Sequence, residues 1–304
     1  MSDSSEAPSR SQRRSHALIR ALRPHQWVKN LLLLAPLLMS HEPIGPLRLR
    51  LVTTAMVCFS LIASCVYILN DLIDRDSDRR HPTKRFRPFA SGELSPRTGI
   101  ALILGLSTAS YAIAFSSLPS LFVAMLAGYS IVSTLYSVWL KRKILIDVLC
   151  LAGLYTLRIL AGGAAAQLVV SPWLMAFSMF LFLSLAFAKR YAEIALLKHD
   201  ATRSGRGYIE TDLDLIRSVG PSSGSLSVMV FCLYLSSPEV ARYYPHPTRL
   251  WFLCPLLLYW ILRIWFVTHR EKLEEDPVLF ALKDRISWAI AALSVLVIIA
   301  ASRD

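Results

Sequence analysis

The sequence predicts an all-α protein that crosses a membrane several times. Of its 304 residues, 54% are hydrophobic and only 18% are charged, and the mean hydropathy is +0.47. Charged residues usually make up about a quarter of a soluble globular chain, so this chain has too few to cover such a domain. Its hydrophobic residues lie in long continuous runs between short charged segments, which is typical of transmembrane helices.

Nine of the apolar runs are candidates for membrane-spanning helices. A span needs about 20 apolar residues, with a range of about 17–25, and the first and last runs are short by this measure. The predicted spans are residues 27–40, 51–69, 99–117, 119–139, 144–167, 173–189, 219–237, 250–268 and 286–301.

The distribution of lysine and arginine predicts the orientation in the membrane. If the N-terminus lies inside, the inner segments hold 26 of these residues and the outer segments hold five. Cytoplasmic loops carry such an excess. We therefore expect a bacterial inner-membrane protein with a disordered basic cytoplasmic tail over residues 1–22 and one transmembrane domain over residues 23–304. Basic residues beside a span usually contact lipid headgroups, so no nucleic-acid partner is expected.

A cluster of acidic residues follows the second predicted span. Asn70, Asp74 and Asp78 are four residues apart, so a continuing helix would place them on one face. Asp71 shares that face, whereas Asp76 points elsewhere. Like charges at this spacing destabilise a helix unless a cation neutralises them, and hard oxygen ligands suit Mg²⁺. We call Asn70, Asp71, Asp74 and Asp78 the acidic motif and predict that it binds Mg²⁺. A solvated helix end paired with nearby arginines is the alternative.

A run of basic residues follows the acidic motif directly, over residues 79–88. Lys84, Arg85 and Arg87 in this run are suited to bind a phosphate group whose metal ion lies on the preceding helix. The alternative is that the run only anchors the loop at the inner membrane surface.

These segments resemble a known family. The pattern N-D-x-x-D-x-x-x-D over residues 70–78, followed by H-P-x-K-R-x-R-P-x-A-x-G over residues 81–92, resembles the UbiA-type intramembrane prenyltransferase superfamily. Residues 23–30 resemble the segment that begins the domain in that family. Within the superfamily, the chain is most similar to the phosphoribosyltransferases that act on decaprenyl phosphate. That closer similarity rests on residues 23–30, 81–88, 188–193 and 281–285.

The resemblance implies a fold and a site. The fold would have nine transmembrane helices around a central cavity open to the cytoplasm, and Mg²⁺ would be held by the acidic motif, in which Asp71 and Asp74 would be catalytic. The superfamily has a second acidic motif after the sixth span, where this chain has Lys189, Arg190 and Glu193. We take Lys189 and Arg190 as catalytic candidates, and Glu193 as the candidate for the second motif.

Two reactions fit the acidic motif. Prenyl transfer and phosphoribosyl transfer both expel diphosphate from a carbon that becomes cationic, so both need a metal and basic side chains beside the leaving group. Phosphoribosyl pyrophosphate carries a further 5′-phosphate, and a polyprenyl phosphate acceptor brings another. The basic residues available for three phosphate groups are Lys84, Arg85, Arg87, Lys141, Lys189 and Arg190.

We therefore predict phosphoribosyl transfer from phosphoribosyl pyrophosphate to a polyprenyl phosphate, with release of diphosphate. The resemblance implies that the product feeds arabinose donors for cell-surface or secreted glycans, nodulation signals among them. An aromatic polyprenyltransferase of quinone biosynthesis is the alternative, and a transporter is a more distant one. An oligomer is compatible with the sequence.

Further side chains are candidates for substrate binding. Arg158 lies deep in the fifth span, where a charge is expensive and usually faces a polar cavity, although a structural ion pair would also explain it. Lys141 lies at the inner end of the fourth span and is either a site residue or a lipid-facing anchor. The remaining candidates are Lys29, Asn30, Tyr136, Tyr191 and Glu193.

Overall fold

The computed structural model describes residues 10–40, 42–195, 207–270 and 276–303. Within these ranges the chain forms helices and no strands, and eight of the helical segments are long and apolar enough to cross a membrane. The predicted all-α membrane class is therefore confirmed.

The eight long segments coincide with eight of the nine predicted spans. Their apolar runs are long enough to be recognised without tertiary information. They are α3 (Pro46–Ile73), α5 (Pro96–Ser117), α6 (Ser120–Val138), α7 (Ile146–Ala166), α8 (Pro172–Ala195), α9 (Asp212–Leu235), α11 (Leu253–His269, preceded by a 3₁₀ helix over Pro247–Phe252) and α13 (Arg285–Ser302). The shorter helices are α1 (Arg10–Leu22), α2 (Ala35–Met39), α4 (Arg75–Asp78), α10 (Val240–Tyr243) and α12 (Pro277–Lys283).

The predicted span at residues 27–40 is not a regular α-helix. An eleven-residue 3₁₀ helix covers Pro24–Leu34 and continues into the five-residue helix α2. A 3₁₀ helix rises about 2.0 Å per residue against about 1.5 Å in an α-helix, so the whole segment is about 30 Å long, close to the thickness of a bilayer core. It runs beside α7. Nine membrane crossings therefore stay a prediction.

The described part of the predicted tail over residues 1–22 is helical, and the expectation of a disordered tail is wrong there. Ala17 and Ala21 on α1 are buried in an apolar cluster with Ile68 on α3 and with Phe89. Small residues four apart share one helix face, so α1 can lie close against α3.

One close contact fixes the 24–39 segment against α7. A Cβ atom on Gly162 would lie 2.1 Å from the carbonyl oxygen of Leu33, which is far inside contact distance. Only glycine allows the two backbones to approach so closely. This packing fixes the backbone of the segment that carries Lys29 and Asn30.

Candidate active site

The acidic motif lies where α3 ends. The helix stops at Ile73, and Asp74 has φ −86° and ψ 2°, after which the short helix α4 covers Arg75–Asp78. The expectation of one unbroken helix through Asp78 is therefore wrong. Like charges repel along a continuous helix face, and the break at Asp74 removes that continuity.

Lys141 connects two members of the acidic motif. Its Nζ atom lies 3.0 Å from Asn70 Oδ1, and 3.0 Å and 2.9 Å from the two carboxylate oxygens of Asp74. Lys141 belongs to a 3₁₀ turn that follows α6, so the contact joins the C-terminal ends of α3 and α6. The structure places this candidate at the motif, and its part in binding substrate stays a prediction.

Two arginines, Arg87 and Arg23, also bond to carboxylates of the acidic motif. Arg87 donates to Asp71 at 3.1 Å and to Asp78 at 2.7 Å through the same nitrogen, and Arg23 donates to Asp71 at 2.6 Å. Asp71 is buried, with 2% of its surface exposed. Charge-assisted bonds of this kind are among the stronger ones in proteins.

Arg23 was not among the predicted site residues. Its backbone is left-handed, with φ 51° and ψ 59°, which is uncommon for a residue other than glycine and costs about 1–3 kcal/mol. Its guanidinium also lies 5.3 Å from the ring centre of Tyr67. The only sequence signal was its place at the start of the family-like segment over residues 23–30.

The oxygen atoms of the acidic motif form two pairs rather than one cluster. One pair surrounds Lys141 and the other surrounds Arg87, each at hydrogen-bond distance. Across the described ranges, no three His, Cys, Asp or Glu side chains are grouped as a metal site. The donors are nevertheless hard oxygens from carboxylates and an amide, already arranged around cations, and Mg²⁺ is usually bound by one or two carboxylates plus substrate phosphates. The residues present therefore fit Mg²⁺.

Lys84 and Arg85 take no part in the contacts described above. Both are exposed on the short 3₁₀ turn Lys84–Phe86, and the Arg85 guanidinium stacks 4.8 Å from the ring centre of Phe86. Of the three predicted phosphate binders in the basic run, Arg87 is the one that makes the contacts with Asp71 and Asp78 described above.

A second buried network contains Arg190, which is 0% exposed. Its guanidinium lies 2.7 Å from Asp147 Oδ2 and also bonds Glu193, while the Tyr136 hydroxyl donates to Asp147 at 2.9 Å. The structure thus gives Arg190, Glu193 and Tyr136 partners within the protein, where the end of α6, the start of α7 and the end of α8 meet, and none of these contacts involves the acidic motif.

A third network is built on Asp276, which no motif had indicated. Its Oδ2 atom accepts from Lys29 at 2.8 Å and from Lys189 at 2.9 Å, and its carboxylate accepts from the Tyr155 hydroxyl at 3.2 Å. Burial would raise the pKa of Asp276, but the two ammonium groups outweigh that effect and hold the pKa well below its ordinary range. Asp276 also caps α12 by accepting from the backbone N–H of Val278 at 3.1 Å.

Arg158 is buried on α7 with neutral partners. It donates to Asn30 Oδ1 at 3.1 Å, to the Tyr129 hydroxyl at 2.8 Å and to the carbonyl of Leu154 at 2.8 Å. Asn30 in turn donates to Ser60 at 2.9 Å. Among the residues that the structure describes, no carboxylate lies within ion-pair distance of Arg158, so the structural ion pair considered from the sequence is not found there.

Tyr191, the last predicted substrate-binding residue, faces a different neighbour. Its hydroxyl lies 3.0 Å from His269 Nδ1, and its ring meets Trp265 edge-on with the ring centres 6.3 Å apart. These contacts join α8 to α11 and do not bring Tyr191 to the acidic motif.

An apolar groove lies between α6, α7 and α8. Its volume is about 400 Å³, and almost all of its lining is hydrophobic. The side chains that line it include Val132, Leu154, Leu157, Leu160, Met175 and Met179. Because Leu154 also provides the carbonyl that accepts from Arg158, the groove adjoins the buried arginine.

Comparison with known proteins identifies the class. Residues 31–300 match the sequence profile of the UbiA prenyltransferase family, so the chain belongs to that family and is a transferase. It is 36% identical over 269 residues to the nodulation protein NoeC of Azorhizobium caulinodans, covering 87% of this chain and 86% of the relative. It is 31% identical over 284 residues to the decaprenyl-phosphate phosphoribosyltransferase of Mycobacterium tuberculosis, covering 90% of both chains.

A further relative is longer than this chain. The chain is 38% identical over 281 residues to an uncharacterized protein of Sinorhizobium fredii, y4nM, and spans 53% of its length. A UbiA homologue from Archaeoglobus fulgidus, solved with DMAPP and Mg²⁺ bound, has the same fold with a TM-score of 0.70 and 20% identity, covering 92% of this chain and 96% of that one.

Proposed function

We propose that the protein is a Mg²⁺-dependent transferase that moves phosphoribose from phosphoribosyl pyrophosphate to a polyprenyl phosphate. The observation that carries the proposal is the convergence of three cations from separate segments on the acidic motif: Arg23, Arg87 and Lys141. The similarity to a decaprenyl-phosphate phosphoribosyltransferase over 90% of both chains supports the choice of substrates.

The acidic motif would hold the donor by its diphosphate. Asn70, Asp71, Asp74 and Asp78 would bind Mg²⁺, which neutralises charge on a departing diphosphate when it is bound. Arg87 and Lys141 already lie beside these oxygens and would bind diphosphate oxygens directly. Fixed cations in a partly buried site oppose the negative charge that develops on the leaving group at no cost of reorganisation.

The transfer itself is a substitution at ribose C1. An oxygen of the lipid phosphate forms the new bond to C1, the bond from C1 to diphosphate breaks, and diphosphate leaves with the electron pair. The attacking phosphate is largely ionised near neutral pH, because the second pKa of a phosphate monoester is about 6. No general base is needed, so the absence of a histidine from the acidic motif is no obstacle.

The acceptor's hydrocarbon chain would lie in the apolar groove between α6, α7 and α8. Its lining of leucine, valine and methionine side chains suits an isoprenoid, and methionine adapts to irregular shapes. The volume of about 400 Å³ would hold only part of a long polyprenyl chain, and the rest would extend into the bilayer.

The cellular setting is also part of the proposal. The excess of lysine and arginine on one side supports a bacterial inner-membrane protein whose N-terminus and site face the cytoplasm. The product would supply lipid-linked arabinose donors for glycans outside the cell. The similarity to a protein named for nodulation supports nodulation signals as one destination.

A direct test supplies both candidate substrate pairs to membranes that contain the protein. One reaction holds Mg²⁺, phosphoribosyl pyrophosphate labelled in the ribose, and decaprenyl phosphate; the other holds a polyprenyl diphosphate and an aromatic acid. The proposal predicts label in the lipid extract of the first reaction only. Prenylation of the aromatic acid, without label transfer in the first reaction, would assign the site to quinone biosynthesis instead.

A further inference from the structure

We propose that Lys29, Lys189 and Arg158 form a second anion site, which takes a phosphate monoester. Asp276 is its internal counter-ion. This inference rests on the proposed function, in which two phosphate groups besides the diphosphate must be bound: the 5′-phosphate of the donor and the phosphate of the acceptor lipid. We call this set of four side chains the second anion site.

The two lysines of the second anion site donate to the same carboxylate oxygen. Lys29 Nζ and Lys189 Nζ lie 2.8 Å and 2.9 Å from the same Asp276 Oδ2 atom. The side chains of Lys29 and Asp276 are 8% and 7% exposed, and that of Lys189 is 29% exposed. A single carboxylate therefore faces two ammonium groups in a largely water-free place, where an uncompensated charge is costly.

Arg158 lies against the same tyrosine ring as Lys29 and adds a third positive charge beside it. The Lys29 ammonium and the Arg158 guanidinium lie 5.7 Å and 5.4 Å from the ring centre of Tyr155, whose hydroxyl donates to Asp276. Arg158 is 6% exposed and has only neutral partners among the described residues. Three cations and one carboxylate leave a formal charge of +2, which a doubly ionised phosphate monoester would balance.

The neighbouring clusters do not share this excess. The basic residues around the acidic motif meet carboxylates of that motif, and Arg190 meets two carboxylates, Asp147 and Glu193. Glu193 bonds Arg190 and also attracts Lys189, but its side chain is 33% exposed, so it offsets the buried positive charge only in part. The surplus of buried positive charge is thus at the second anion site.

The position of the site suits a phosphate that carries an apolar chain. Leu154 accepts a hydrogen bond from Arg158 through its carbonyl and is one of the residues that line the apolar groove. A lipid phosphate held by Arg158 would therefore have the groove beside it. A sugar 5′-phosphate has the same charge and the same ligands, so the two sources must be separated by experiment.

The test measures binding of two monophosphates to the purified full-length protein in detergent, without Mg²⁺, by titration calorimetry. Ribose 5-phosphate represents the donor's phosphate and farnesyl phosphate the acceptor's. Relative to the unmodified protein, Lys29→Met and Arg158→Met are expected to bind at least one of the two probes tenfold or more weakly. Lys189→Met, which alters a partly exposed side chain, provides a third variant should either of the others fail to fold. Asp276→Asn removes the competing carboxylate and is expected to tighten binding of the same probe several-fold.

Asp284→Asn is the matched control. Asp284 also caps a helix, by accepting from the backbone N–H of Ser287 at 2.7 Å, and also pairs with a basic residue, Arg263, at 2.7 Å. The Asp284→Asn protein should lose a helix cap and an ion pair without a change in its affinity for either probe.

The outcomes separate the two sources of phosphate. Weaker binding of farnesyl phosphate alone assigns the site to the acceptor, and weaker binding of ribose 5-phosphate alone assigns it to the donor. Equal binding by every variant, no binding to the unmodified protein, or an equal loss in Asp284→Asn would overturn the second anion site.

Failure of this inference is distinguishable from failure of the proposed function. If the unmodified protein transfers phosphoribose and the Lys29 and Arg158 variants bind both probes normally, the second anion site is wrong and the transfer reaction stands. If those variants bind a probe more weakly and the unmodified protein transfers no phosphoribose, the second anion site stands and the proposed substrates are wrong.

Discussion

Lys141 Nζ lies within 3.0 Å of both carboxylate oxygens of Asp74, although 67 residues separate the two in the chain. The contact attaches the turn after α6 to the end of α3. Lysine can reach from the membrane boundary to such a site because its long stem lies along apolar surface while its ammonium group stays polar. The same nitrogen would be available to a diphosphate oxygen.

Replacing Lys141 tests that contact. Lys141→Met is expected to lower the rate of phosphoribosyl transfer by about 10²-fold, the usual effect of removing one fixed group that stabilises developing charge. The measurement is the initial rate of label transfer in membranes with matched protein content. Lys143→Met is the control, because Lys143 is exposed and stacks 5.4 Å from the ring centre of Trp139. Equal loss in both variants would mean that Lys141 acts only as a membrane anchor.

The buried pair of Arg190 and Asp147 is expected to contribute to stability. Asp147→Asn leaves the Arg190 guanidinium without a full partner in a dry place, and breaking such a pair costs about 3–5 kcal/mol. Thermal unfolding of the purified protein in detergent measures the effect. Asp214→Asn, at an exposed ion pair with Arg217, should unfold at the temperature of the unmodified protein. An unchanged unfolding temperature for Asp147→Asn would contradict this account.

Gly162 is expected to tolerate no side chain. Gly162→Ala would push the 24–39 segment away from α7, with a cost of about 1–3 kcal/mol, as for overpacking in a core. The unfolding temperature should fall and transfer should slow, because Lys29 and Asn30 belong to that segment. Gly128→Ala is the control, since its added methyl group meets nothing within 4 Å. A Gly162→Ala protein as stable as the control would show that the close approach is not required.

Asp276 gives a prediction on pH. Its pKa is lowered in the folded protein because Lys189 and Lys29 outweigh burial, so its contribution to stability is complete above the unfolded pKa of about 3.9 and is lost only as pH falls through the lower folded value. The difference in unfolding temperature between the unmodified protein and Asp276→Asn should therefore be constant from pH 8 to pH 5 and shrink below about pH 4. A difference that vanishes between pH 7 and pH 5 would contradict the lowered pKa.

The long helices could be predicted because each apolar run is a local property of the chain. The spans predicted at residues 51–69 and 286–301 lie within α3 and α13. Both were predicted without any knowledge of the residues that pack against them. The 24–39 segment was harder, since hydropathy does not distinguish a 3₁₀ helix from an α-helix. Its conformation depends on Gly162, more than a hundred residues away.

The acidic motif was visible for a similar local reason, as acidic residues at regular spacing beside an apolar run. Its partners were less visible, because Arg23 and Lys141 reach it only through the fold. Asp276 is the clearest case: it meets Lys29 across 247 residues, and an acidic residue before a proline in a loop usually indicates no more than a helix cap.

The central claim is that the acidic motif binds the donor's diphosphate, and the rates of three asparagine variants test it most directly. Asp71→Asn and Asp74→Asn are compared with Asp76→Asn, whose side chain is 73% exposed and pairs only with Arg75 and Arg79 among the described ion pairs. The account predicts a loss of about 10²-fold or more in label transfer for the first two, and less than a twofold change for Asp76→Asn. Transfer that persists in Asp71→Asn and Asp74→Asn, or that falls equally in Asp76→Asn, would contradict it.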